Sequence, residues 1–298
     1  MKKRLPTSIA ILIFTLAFVL LKQFSPLFFD AFALVIMFGS IIEIIKVNKK
    51  QEKQIDIPVL VLAPVALCLI FNLAKGKLIV LLCLAFVLLA VLYLLTFEII
   101  SYGRHRKENE TKSAEEINAH LFDRTKNTMM AIGYPVLPLS FMFVLNHLSY
   151  QVGYMGIVLI FAVAMLTDSL AYVFGSLLGK KRFIPEVSPK KSIAGVFGGF
   201  FGGVLGAGLV FVFFYFTKWF DILNVTSFNL SIPAFVIIGI IGSYANQLGD
   251  LVASAYKRKA GIKDFSNIFP GHGGFMDRVD GMMFVSVVVY IVLALFFV

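Results

Sequence analysis

The sequence predicts an all-α, polytopic integral membrane protein, and three observations carry that expectation. First, 59% of the 298 residues are hydrophobic and only 15% are charged, with a mean hydropathy of +0.89, whereas a soluble domain carries about a quarter charged and about half apolar residues. Thirty-two Phe and ten Met stand against one Trp, giving large apolar area with few polar handles, as lipid-facing helices require. Second, the apolar residues gather in runs of about 20, the length a bilayer-crossing helix needs. Third, the basic residues collect in alternate connections between those runs. Soluble and disordered classes are excluded.

Nine runs qualify, at approximately 5–21, 27–45, 57–73, 78–100, 128–148, 152–178, 193–217, 232–256 and 279–298. The first follows Lys2, Lys3 and Arg4. No small-residue cleavage site follows it and a second run begins after a short turn, so it reads as an uncleaved helix and not as a signal peptide. The 101–127 connection mixes Glu108, Glu110, Glu115 and Glu116 with bases and reads as a solvated helix or flexible connection. It separates an N-terminal membrane region, 1–127, from a catalytic C-terminal region, 128–298. In the seventh run Gly195, Gly198, Gly199, Gly202, Gly203, Gly206 and Gly208 recur at three- and four-residue spacing, which favours close helix packing over a phosphate-binding loop.

With nine spans, successive connections alternate sides. The N-terminus and the 46–53, 101–127, 179–191 and 257–278 connections then hold 23 of the 27 Lys and Arg, leaving Lys22, Lys75, Lys77 and Lys218 opposite. Positive-inside bias puts the N-terminus, the polar loops and a polar cavity opening among them on the cytoplasmic side of the cell membrane, with the C-terminus outside. The same bias, with attraction to anionic lipid, accounts for the net charge of +10 without nucleic acid. Cys68 and Cys83 lie in apolar runs without CxxC or CxxH spacing; they read as packing residues and leave the redox compartment undecided.

An acidic side chain inside a span is costly and faces a protein interior or a water-filled cavity. Asp168 and Asp250 are therefore functional candidates. Ser243, Gln247, Asp250, Ser254 and Lys257 step by four, three, four and three, which draws one polar stripe along an apolar helix. The same spacing sets Tyr172, Gly175 and Gly179 on the face of Asp168. Both stripes run toward basic connections. After the sixth run, Lys180, Lys181, Arg182, Lys190 and Lys191, with the Ser188 and Ser192 hydroxyls, can all address phosphate oxygens, although such a cluster alone also serves as a topology signal or a lipid contact.

The stretch 254–280 reads SAYKRKAGIKDFSNIFPGHGGFMDRVD. It sets the cations Lys257, Arg258, Lys263 and Arg278 among Asp264, Asp277 and Asp280, around the turn Pro270-Gly271-His272-Gly273-Gly274. Asp277 and Asp280, three apart at the start of the last helix, share a face and can hold one cation together. Carboxylate oxygens completed by water and phosphate suit Mg²⁺, and no Cys/His cluster argues for zinc. His272, with no second His near it, orients or contacts phosphate in preference to binding metal.

The pattern Ser254-x2-Lys257-Arg258-x4-Lys263-Asp264-x-Ser266-x2-Phe269-Pro270-x-His272-Gly273-Gly274-Phe275-x-Asp277-Arg278-Val279-Asp280 resembles the signature of the phosphatidate cytidylyltransferases, the CDP-diacylglycerol synthases. The segment Asp168-x2-Ala171-Tyr172-x2-Gly175-x3-Gly179-Lys180, with Ser188-Pro189-Lys190-Lys191-Ser192, is similar to a second block of that family. Three positions depart from the pattern. Tyr256 stands where an aliphatic residue or Phe is usual, Ser192 replaces Thr, and Ala194 stands where Glu is common, which removes a carboxylate before Gly195. The resemblance covers the C-terminal half firmly and the N-terminal half in hydrophobicity alone.

The resemblance implies a nucleotidyltransferase of phospholipid biosynthesis that transfers CMP from CTP to phosphatidate, giving CDP-diacylglycerol and pyrophosphate. On that reading Asp168, Asp250, Asp277 and Asp280 hold Mg²⁺, and a monovalent cation such as K⁺ can share the centre. Asp250, Lys257, Arg258, Lys263, Asp264, His272 and Arg278 form the catalytic set, and Ser188, Lys190, Lys191, Ser192, Ser254, Gly273 and Gly274 bind substrate. Two phosphates must approach, so the site neutralises charge more than it abstracts a proton, and no Ser/His/Asp set is needed. CTP, phosphatidate and membrane lipid are the expected partners, nucleic acid is not, and a homodimer stays open. Two other classes compete. A CTP-dependent polyprenol or phytol kinase would use CTP as phosphoryl donor, but its pattern should lack the full Lys-Asp…His-Gly-Gly…Asp-Arg-x-Asp run. A transporter would use intramembrane aspartates and glycine-rich helices, but it predicts inverted repeats and has little need of a long cytoplasmic signature.

Overall fold

A computed structural model of the chain describes residues 4–73, 114–218 and 228–297, together with Ala85, Leu89, Leu92, Tyr93 and Thr96. The expected fourth span, 78–100, lies outside the described residues apart from those five positions. The helices are α1 (Arg4–Leu21), α2 (Pro26–Lys50), α3 (Ile57–Leu73), α4 (Ala114–Ala131), α5 (Leu137–Asn146), α6 (Tyr150–Leu178), α7 (Ile193–Phe216), α8 (Phe228–Lys259), α9 (Met276–Val279) and α10 (Met282–Phe297). Between α6 and α7 lies an antiparallel hairpin of β1 (Arg182–Ile184) and β2 (Ser188–Ser192). Among the described residues, five stretches are long and apolar enough to cross a bilayer: Pro26–Lys50, Phe122–Asn146, Tyr150–Leu178, Ile193–Phe216 and Ile232–Lys259. Ile57–Leu73 and Met282–Phe297 are shorter apolar helices. This is an all-α membrane architecture.

The chain divides into two compact units, Leu34–Ser140 and a discontinuous one that joins Met1–Ala33 to Phe141–Val298. Within Leu34–Ser140, Asp56 pairs with Arg124 at 3.0 Å, and its backbone N–H donates to Thr128 Oγ1 at 2.9 Å. These bonds tie the start of α3 to α4. Pro135 has no N–H for a helical ladder, and Tyr134 is extended at φ −148° and ψ 105°. The helix accordingly breaks at a kink within Ile132–Val136 before α5 begins.

The discontinuous unit is built on α6, α7, α8 and α10. Lipid tails are as apolar as Leu, so apolar burial alone does not choose which helix faces meet; close backbone approach does. On α7, a Cβ at Gly195, Gly198, Gly202 or Gly206 would run into the Ala171, Leu170, Leu166 or Ala162 carbonyl oxygens of α6. Gly199 and Gly203 abut the Gln247 and Ser243 side chains of α8 in the same way. The glycine spacing thus does what it predicts, closing one helix against two neighbours. Phe197, Phe201, Leu209 and Phe213 point outward and are exposed, while Leu159, Val163, Phe214, Ile238, Val285 and Val289 fill the core.

A polar knot joins the α1–α2 turn to the α5–α6 turn of this unit. Lys22, 2% exposed, donates from Nζ to Asn146 O at 2.9 Å and Asn146 Oδ1 at 2.6 Å. Asn146 Nδ2 donates to Asp30 Oδ1 at 2.7 Å, and His147 Nε2 lies 2.9 Å from Asp30 Oδ2. Burial pushes the Lys22 ammonium down to about 8, partly offset by the Asp30 charge. The basic 179–191 connection, expected as a loop, is the hairpin: Arg182 pairs with Ser192 and Ile184 with Ser188. Ser192 also caps α7, its Oγ accepting from the Gly195 N–H at 3.1 Å.

Gly202→Ala is expected to destabilise the protein by about 1–3 kcal/mol through overpacking against Leu166, read as a lower thermal midpoint in detergent. Gly208→Ala, whose Cβ would meet nothing within 4 Å, leaves the midpoint unchanged or slightly higher. Equal losses at both positions would rule out the packing explanation.

Candidate active site

Three carboxylates from three elements converge in the discontinuous unit. Asp168 lies on α6, Asp250 on α8, and Asp280 at the break between α9 and α10. Two glycines set the approach. A Cβ at Gly249 would strike the Asp280 carbonyl oxygen, and one at Gly281 would strike the Asn246 side chain, so α8 and the 280–281 turn meet backbone to backbone. The Asp250 and Asp280 carboxyls come within hydrogen-bond reach of each other, and both feel the charge of Asp168. Asn246 Nδ2 donates to Asp168 Oδ1 at 2.6 Å. From the end of β2, Lys191 Nζ reaches Asp250 Oδ2 at 3.2 Å and donates to Gln247 O at 3.3 Å.

Two cavities open on this cluster and share Asp168, Lys191 and Asp250. The larger, about 700 Å³, is bordered by Thr15 of α1 and by Ser254, Lys257, Asp264, Gly271, His272, Asp277, Arg278 and Asp280. The smaller, about 520 Å³, runs along Tyr172 and Gly175 of α6 and Gly179 just past its end, and is closed by Arg182, Lys190 and Ser192 of the hairpin and by Gln247. Both helical stripes drawn from the sequence therefore end at cavities, although Ser243 and Gln247 also pack on α7.

Asp277 takes a different place from the one its spacing predicts. Its Oδ1 accepts from Lys257 Nζ at 2.6 Å, and its Oδ2 accepts from the Phe265 N–H at 2.8 Å and the Gly274 N–H at 2.9 Å. The carboxylate is thus engaged by the 261–275 loop and by Lys257, while Asp277 and Asp280 both line the larger cavity. Gly273, at φ +79°, lies so close that a Cβ would fall 2.5 Å from Asp277 Oδ2, which explains the glycine. Lys257 also sits 5.4 Å from the Phe265 ring centroid. Arg258 and Lys263 are exposed; they and Ser188 border neither of these two cavities, and Gly273 and Gly274 act through backbone inside the turn.

The donor set at Asp168, Asp250 and Asp280 fits Mg²⁺: hard carboxylate oxygens crowded in apolar surroundings, with Lys191 paired to one of them. Among the described residues no three Asp, Glu, His or Cys side chains close a ready-made metal cage. Water and phosphate oxygens would complete the shell, the usual state of this ion. Two residues of the neighbourhood escape the sequence reading. Asn246, three residues after Ser243 and four before Asp250, lies on the face of the α8 polar stripe and could have been read with it. Thr15, in an ordinary apolar run, carries no such signal.

The sequence model of the cytidylyltransferase family matches residues 2–296. The chain belongs to that family. Among its relatives, a protein named phosphatidate cytidylyltransferase from Staphylococcus saprophyticus is 38% identical over 157 residues, 53% of this chain and 54% of the relative. One of the same name from Staphylococcus haemolyticus is 43% identical over 125 residues, 42% and 44% of the two chains. A third, from Staphylococcus aureus, is 36% identical over 157 residues, 53% and 54%. The chain spans about half the length of the curated relatives it matches. In this member of the cytidylyltransferase family, the signature folds as a loop wound around Asp277, with the carboxylate cluster beside it.

Asp277→Asn would turn an amide NH₂ toward a backbone donor or break the Lys257 pair, and an unpaired buried group costs about 1–3 kcal/mol. The 261–275 loop is expected to open, read as faster tryptic cleavage at Lys259 and Lys263. An unchanged cleavage rate would show that the carboxylate does not hold the loop.

Proposed function

We propose that the chain is a phosphatidate cytidylyltransferase, transferring CMP from CTP to phosphatidate and releasing pyrophosphate. The observation that carries this is one carboxylate cluster shared by two cavities, both edged with cations. A reaction that joins a lipid phosphate to a nucleotide needs two anion-binding spaces meeting at one point. The larger cavity, with Lys257, His272 and Arg278 on its wall, takes the CTP triphosphate. The smaller, between the apolar faces of α6 and α7 and ending at Arg182, Lys190 and Lys191, takes the phosphatidate headgroup from the cytoplasmic leaflet.

The lipid phosphate oxygen attacks the α-phosphorus of CTP, and the bond to the β-phosphate oxygen breaks. Lys191, on the boundary of both cavities, lowers the repulsion between the incoming phosphate and the nucleotide. Lys257 and Arg278 hold the departing pyrophosphate, and His272 orients it. Bound at Asp168, Asp250 and Asp280, Mg²⁺ would neutralise charge on the nucleotide phosphates; K⁺ sharing this centre belongs to the same proposal. Nine spans, cavities open to the cytoplasm and a cell-membrane location complete the reading, with the basic-residue asymmetry as support.

Purified protein given phosphatidate, Mg²⁺ and CTP labelled on the α-phosphate is expected to yield labelled lipid, and CTP labelled on the γ-phosphate is not. The reverse labelling would identify a lipid kinase. In the same assay, Asp280→Asn is expected to lose activity by at least about 100-fold, as removal of a metal-held charge predicts, with membrane insertion unchanged. Cysteines placed at Ser113 and Ser266 label from the cytoplasm and one at Asp221 from outside. Labelling of 221 and 266 from one side would overturn the nine-span orientation.

A further inference from the structure

Asn246 lies outside the signature and is fully buried, 0% exposed, one turn before Asp250 on the same face of α8. Its Nδ2 gives Asp168 a directional hydrogen bond of 2.6 Å. Its Oδ1 is buried without a hydrogen-bond donor among the described residues. Such an orphaned amide carbonyl is a standing cost to the fold. The space it fills exists because residue 281 is glycine: a Cβ there would overlap Oδ1 and lie 2.7 Å from Cγ. A half-satisfied buried amide bonded to a carboxylate, with clearance kept for it by a neighbouring element, is not explained by packing, since an apolar side chain would fill the volume without an unpaired carbonyl of its own.

The geometry points to Asn246 as a positioning residue, which holds Oδ1 of Asp168 so that the other carboxylate oxygen is presented where the two cavities meet, with Gly281 supplying the clearance. Lys191 and Arg278 act on Asp168 through charge, which does not choose between its oxygens; a hydrogen bond does. The task served by Asp168 rests on the proposed cytidylyltransferase reading, but the contact and its dependence on Gly281 do not.

Infrared spectroscopy of the purified protein tests the contact without turnover. The carboxyl band of Asp168, identified by its loss in Asp168→Asn, is expected to shift in Asn246→Ala and in Gly281→Ala. A band that stays in place in both overturns the proposal, whatever the activity. In the transfer assay each single variant is expected to lower kcat at least about tenfold with KM for CTP within about twofold, the pattern of a lost orienting contact. Adding Gly281→Ala to Asn246→Ala should cost less than about twofold more, because both act through one side chain. Asn246→Ser, which keeps a donor, recovers part of kcat. The thermal midpoint of the Asn246 variants changes little, because cavity water can take the place of the amide at Asp168, whereas Gly281→Ala lowers it by crowding α8. Losses that multiply in the double variant, or that fall only in step with the thermal midpoint, overturn the positioning role. A wild-type protein that transfers no CMP sinks the functional reading and leaves the infrared result to decide this one.

Discussion

Holding three carboxylates together inside a cluster of apolar helices is the constraint on which the rest of the arrangement depends. Charges in such surroundings repel one another strongly, and neither apolar burial nor surface ion pairs can bring them close. Backbone contact through glycine does it here. Gly195, Gly198, Gly202 and Gly206 seat α7 on α6, while Gly249 and Gly281 seat α8 on the turn that carries Asp280. Each removes a side chain where one would separate two elements. The carboxylates then converge because their backbones have nowhere else to be.

That closeness decides how the cations are used. Lys257 is bound to Asp277 at 2.6 Å and flanked by the Phe265 ring, so its ammonium is fixed on the wall of the larger cavity before any ligand arrives. A charge fixed in advance needs no reorganisation to act on what enters the cavity. Lys191 is held differently. It projects from a hairpin and is about a quarter exposed, and its pairing with Asp250 at 3.2 Å is longer, so it can leave the carboxylate at lower cost.

Much of this was legible in the sequence because it follows local rules. Apolar runs gave helices where their lengths allow, and the glycine spacing on α7 announced close packing. The intramembrane aspartates marked the cluster because lipid tolerates them nowhere else. The hairpin at 182–192 was not legible, since its strands are short and charged, with Pro189 in the second, and their pairing is fixed by the helices at either end. The same holds for Lys22, Asp30, Asn146 and His147, which are scattered through the chain and meet only through tertiary contact.

Asp277 and Asp280 show where spacing alone falls short. Residues three apart share a helical face, and Asp280 keeps helical dihedrals, φ −53° and ψ −41°, just after α9. What distinguishes the two carboxylates is the partners each one finds. One faces back into the signature loop, where two backbone N–H groups and Lys257 use up both oxygens. The other faces α8 and Asp250. A loop rich in glycine and polar residues has little apolar area with which to hold its own shape, so an internal anion gathering its backbone donors supplies the order that packing cannot. The first aspartate therefore orders the loop that walls the larger cavity, and the second lines that cavity beside Asp250.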